Sequence, residues 1–106
     1  MAAWTLVPPA ARLAVSRALG SDDRAFWWRD GRAANPSQHF AVRARAGGVA
    51  VSSARGTFGL SLRSAGVAGL PVVAAAPRIR ENRIVYARGS LTEWYANGPL
   101  GLEQGV

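Results

Sequence analysis

Two carboxylates, Glu93 and Glu103, flank the aromatic pair Trp94 and Tyr95 in the closing stretch LTEWYANGPLGLEQGV, Leu91 to Val106. Paired carboxylates are the equipment of glycoside hydrolysis, where one protonates the leaving oxygen while the other attacks or activates water. Exposed tryptophans add flat surfaces on which a sugar ring can stack. Trp27, in AFWWR, would be a second such surface beside Trp94. Against catalysis, the mechanism needs a cleft that a chain of 106 residues seldom builds, and glutamates beside a turn are commonplace on surfaces. The sequence therefore reads as a non-enzyme, with Trp27, Trp94 and Glu93 as candidate glycan contacts in an alternative carbohydrate-binding or glycan-cleaving reading.

Other chemistries are poorly served. His39 is the single histidine and has no nucleophile or carboxylate at a motif spacing, so a solvated or capping role fits it best. Without cysteine, the usual zinc sets and any disulfide framework are excluded. Neither a calcium loop, a P-loop nor a dinucleotide fingerprint is present, and no cofactor is expected. Asp22-Asp23 reads as the exit of a helix.

The formal net charge is +7, and arginine supplies all 13 basic residues. Lysine is absent and alanine and glycine abound, a pattern of coding bias that leaves no strong case for nucleic acid. A stripe of Arg43, Arg45 and Arg63 would nevertheless meet a polyanion if their strands adjoin on one face.

The elements that must position these residues follow from periodicity. PAARLAVSRAL, Pro9 to Leu19, carries the 3.6-residue pattern with proline at its start and Gly20 just beyond, predicting a short helix. Asp30-Gly31 predicts a two-residue hairpin between extended runs, since both central residues need positive φ. HFAVRARAGGVAVSS and TFGLSLR alternate apolar and polar residues, predicting half-buried antiparallel strands with arginines on the wet face. SAGVAGLP reads as a loop and PRIRENR as a charged connection. RIVYAR reads as a strand with Ile84 and Tyr86 on one face, LTEWY as the last strand, and ANGPLG as a turn. The sum is a mainly β domain: an antiparallel β-sandwich, or partly open barrel, preceded by one short N-terminal helix. Residues 1–23 form the helical segment and residues 24–106 the β domain, expected to be truncated at its C-terminus with its last strand left as an unpaired edge.

Parity sharpens the aromatic pairs. Neighbours on a strand point to opposite faces, so Phe26 and Trp28 should be buried and Trp27 should not; likewise Leu91 and Tyr95 share a face that Trp94 lacks. The helix or another domain is expected to cover the second face. The N-terminus lacks the continuous apolar run of a signal peptide, and no window is long enough to span a membrane.

NRIVYARGSLTEWYANGPLGLEQG, preceded by ALGSDD, NPSQ and FGLSLR, resembles the N-terminal β-rich region of large bacterial secreted or surface proteins that continue into FG-GAP, propeller-type repeats. The most specific piece is LTEWYANGPLGLEQG. The resemblance implies a non-catalytic structural or interaction module, extracellular or at the cell surface. Its expected partners are the downstream repeat domain of the same protein and a glycan or surface component.

Overall fold

The computed structural model describes residues 8–61, 64–65, 70–71 and 75–106. The protein is mainly β, with two four-stranded antiparallel sheets and a short helix at the N-terminal side. A 3₁₀ turn at Pro9–Ala11 leads into α1, Arg12–Asp22. The first sheet follows chain order: β1 (Arg32–Asn35), β2 (Phe40–Arg45), β3 (Gly48–Ser53) and β4 (Gly56–Ser61). A short pair follows, β5 (Ser64–Ala65) with β6 (Leu70–Pro71). The second sheet is ordered β10 (Gly101–Gly105), β9 (Leu91–Gly98), β8 (Arg83–Arg88) and β7 (Arg78–Arg80).

Period-two patterning sets the faces. Val42, Val49 and Val51 of the first sheet meet Ile84, Tyr86 and Tyr95 of the second in one buried cluster that Trp28 closes. Each large side chain taken from water in this way contributes roughly 1.5–3 kcal/mol. The polar ends of the aromatics are matched: Trp28 Nε1 donates to the Asn82 carbonyl at 2.9 Å and Tyr86 Oη to that of Gly48 at 2.8 Å. Tyr86 and Tyr95 meet edge to face with centroids 6.1 Å apart.

Several local expectations change. The helix runs three residues past Leu19, and Gly20 lies inside it and buried. Gly20 is there for approach, because a Cβ at this position would collide with the Asn97 carbonyl oxygen. The run before Asp30 is a 3₁₀ turn at Arg24–Phe26 started by Asp23, whose carboxylate accepts from the Ala25 amide at 2.9 Å. Asp30 (φ 51°) and Gly31 (φ 74°) do form the tight hairpin, with Arg29 and Arg32 exchanging both backbone bonds.

PRIRENR holds strand β7 and a turn into β8, with Glu81 at φ 55°. SAGVAGLP contains the β5 and β6 pair, while Arg63 of the predicted arginine stripe lies outside the described residues. The last predicted strand is longer than expected. β9 continues through Ala96, Asn97 and Gly98, only Pro99 and Leu100 turn, and β10 then pairs back on it. β9 is thus an interior strand rather than an unpaired edge.

Candidate functional site

β8 and β9 pair with Tyr86 opposite Glu93 and Arg88 opposite Leu91. Alternation therefore sends Arg88 and Glu93 to the same inward face as Ile84, Tyr86 and Tyr95. Glu93 is 0% exposed, so it is not the surface group the sequence suggested. Arg88 Nε donates to Glu93 Oε1 at 2.7 Å, and Tyr95 Oη donates to Glu93 Oε2. Gln104 Nε2, arriving on β10, donates to Tyr95 Oη at 3.0 Å and to Glu93 Oε2 at 3.3 Å. Arg88 also donates through Nη1 to the Ala46 carbonyl at 2.8 Å and stacks 4.4 Å from the Tyr86 ring centre. The cluster thereby ties the second sheet to the β2–β3 turn. Burial, with Glu93 as bonded carboxylate, pushes the Tyr95 hydroxyl well above its ordinary value of 10.0, and burial raises Tyr86 as well.

Glu103 faces the other way. Its carboxylate lies 3.5 Å from Arg17 Nη1 of α1, on the outer side of the second sheet. The two glutamates therefore sit on opposite faces of the sheet, which is not the convergent arrangement that two-carboxylate hydrolysis requires.

Trp94 shares that outer face and is half-buried. Arg17 and Arg83 stack on its ring at 5.3 and 4.7 Å, and Gly105 on β10 leaves the space its indole fills. The helix is what covers Trp94. Trp27 is also half-buried: its Nε1 donates to the Ser21 carbonyl at 3.0 Å and Arg24 stacks 5.5 Å from its ring.

The polar part of the closing stretch does a different job. Asn97 Nδ2 donates to the carbonyls of Phe26 (3.1 Å) and Ala34 (2.7 Å), and its Oδ1 accepts from Asn35 Nδ2 at 2.8 Å. Asn82 Nδ2 donates to the carbonyls of Arg17 and Asn97, both at 2.9 Å. Ser16 Oγ accepts from the Leu100 amide at 2.9 Å, and its backbone presses on Gly98 so closely that a side chain there would collide. Three buried asparagines thus replace water for the backbone groups where helix, hairpin and both sheets meet. Sequence reasoning saw only a turn in ANGPLG; the signal available was a second asparagine, Asn35, before another proline.

The arginine stripe is partly realised. Arg43 and Arg45 are exposed on the outer face of β2, joined there by Arg32, which pairs with Arg43 across β1 and β2. Arg32 was not among the predicted residues, although its position immediately after the Asp30-Gly31 turn carries the signal. Among the described residues no group of three histidines, cysteines or carboxylates could hold a metal, and no helix is long and apolar enough to cross a membrane. No protein-family model, curated protein or solved structure matches the chain.

Proposed function

We propose that this domain is a non-catalytic structural and interaction module of a larger secreted or surface bacterial protein, preceding a repeat domain as the resemblance of its closing stretch implies. The observation that supports the reading is the internal use of that stretch's polar side chains. Glu93, Asn97 and Gln104 all bond to groups within the domain. A segment that serves as a joint between helix and sheets is suited to holding neighbouring modules in fixed geometry.

Two measurements test it. The coding sequence around the chain should show an export signal upstream and repeats downstream; an open reading frame without repeats would overturn the placement. A screen of polysaccharide and aryl-glycoside substrates should give no turnover. Hydrolysis abolished by Glu103→Gln in a folded protein would overturn the non-catalytic role.

A further inference from the structure

The outer face of the first sheet carries an alignment of like charges. The Asp30-Gly31 hairpin sets Arg29 opposite Arg32, and β1 sets Arg32 opposite Arg43. Paired residues of antiparallel strands share a face at about 5 Å, so these side chains form a ladder across the sheet. Arg45, two residues along β2, lies on the same face. All four arginines are exposed, and among the described residues none forms an ion pair. Like charges placed directly opposite one another destabilise a sheet. The arrangement is therefore a local cost that a bound anion would reverse.

The surroundings narrow the anion. Arg32, Arg43 and Arg45 border a shallow depression of about 370 Å³ floored by Ala41, Ala50, Ser52 and Thr57, and Arg29 with Arg32 borders the depression beside it. Among the described residues no carboxylate lines the first depression; the nearest in sequence, Asp30, is exposed at the hairpin tip. Small floor residues let a chain lie against the strands. Among the described residues no aromatic ring lines the first depression, so it offers no platform for unpaired bases; Trp27 lines the adjoining depression with Arg29 and Arg32, and its indole is already held by Ser21 and Arg24. Guanidinium groups in a row favour repeated phosphate groups, each able to take a forked pair of bonds.

We propose that this face binds a linear phosphate polymer lacking stacked bases along the ladder of Arg29, Arg32, Arg43 and Arg45. The proposal rests on the interaction role given above and names the chemistry of the partner. Its side chains face outward on the first sheet, away from the closing stretch on β9 and β10, so its failure would leave that reading standing, whereas turnover or a missing repeat domain would strike that reading alone.

The test is titration of the whole chain with long-chain inorganic polyphosphate at several salt concentrations. Binding should weaken with salt. Arg43→Ala with Arg45→Ala should reduce affinity roughly tenfold at low salt and shrink the slope of log affinity against log salt by about 1.4–1.8, the loss of two phosphate contacts. Arg78→Ala with Arg80→Ala removes the same charge from β7 and should leave binding within about twofold of the parent. Equal losses in the two double variants would reduce the effect to net charge and overturn the site. Absence of salt-dependent binding would overturn it too. Equal binding of poly-glutamate would overturn the phosphate assignment. Tighter binding of single-stranded oligothymidine, lost in Trp27→Ala, would identify a base-stacking surface instead.

Discussion

Arg88 and Glu93 form a fully buried ion pair, 2.7 Å from Nε to Oε1, across the turn that joins β8 to β9. Removing one partner strands the other charge in the core, which typically costs about 3–5 kcal/mol. Glu93→Gln and Arg88→Met should each lower the unfolding free energy from urea melts by an amount of that order. The double replacement Arg88→Met with Glu93→Leu should recover much of the loss, because two desolvated charges are replaced by apolar volume. A double variant no better than the worse single one would mean that the bonds to Ala46 and Tyr95 matter more than the pair itself.

Alkaline pH should unfold the domain through its tyrosines. Tyr95 and Tyr86 are raised above 10.0 in the folded protein, so above that pH the unfolded chain releases protons that the native state retains. Stability is fully present below pH 10 and should fall as pH rises, by up to about 1.4 kcal/mol per pH unit for each tyrosine that stays protonated. Tyr95→Phe should start less stable at pH 7, having left Glu93 and Gln104 without their shared hydroxyl, yet lose less between pH 9.5 and 11. Denaturant melts across that range would reveal the two slopes; parallel curves would contradict the assignment.

Gly20→Ala sets local propensity against packing. In an exposed helix interior the change would gain about 1 kcal/mol. Here the added methyl would meet the Asn97 carbonyl, a backbone atom that cannot swing aside. The expected outcome is a loss of stability of at least about 2 kcal/mol, with α1 displaced. Gly98→Ala should act alike from the other side of the contact, against Ser16. Tryptophan emission should shift to the red as Trp94 loses its cover, and an unchanged spectrum would show that the helix can dock elsewhere.

Arg43→Thr should make the free protein slightly more stable, by about 0.2–1 kcal/mol, since it relieves the like-charge pairing with Arg32 and places a good strand former on β2. The gain should shrink in high salt, which screens exposed charges. Melts at low and high ionic strength decide this, and a destabilised variant would show that the arginine stem contributes packing.

Much of this fold is legible in the sequence because its signals are local. Alternation in FAVRAR, VAVSS and RIVYAR marks β2, β3 and β8, and the positive φ needed at Asp30 and Gly31 marks the hairpin. The same alternation, carried one step further, places Arg88 beside Tyr86 and Glu93 beside Tyr95. Charge type suggested the surface for Glu93, and parity outweighs it because Arg88 supplies its counter-ion. The bounds of β9 were harder to read. Asparagine, glycine and proline ordinarily stop a strand, yet Asn97 and Gly98 extend it, since one side chain bonds to three residues of two other segments and the other position admits the helix. Such roles depend on partners distant in the chain, Phe26, Ala34, Asn35 and Ser16. Local propensity carries no trace of them.

The bond between Ser16 and Leu100 spans 84 residues. An eleven-residue helix is marginal on its own, and its docking surface includes Asn97, Gly98 and the β9–β10 turn, which lie far along the chain from it. During translation α1 must therefore wait, undocked, until nearly the whole domain has left the ribosome. Docking of α1 on the β9–β10 turn is thus a late step that closes a long loop.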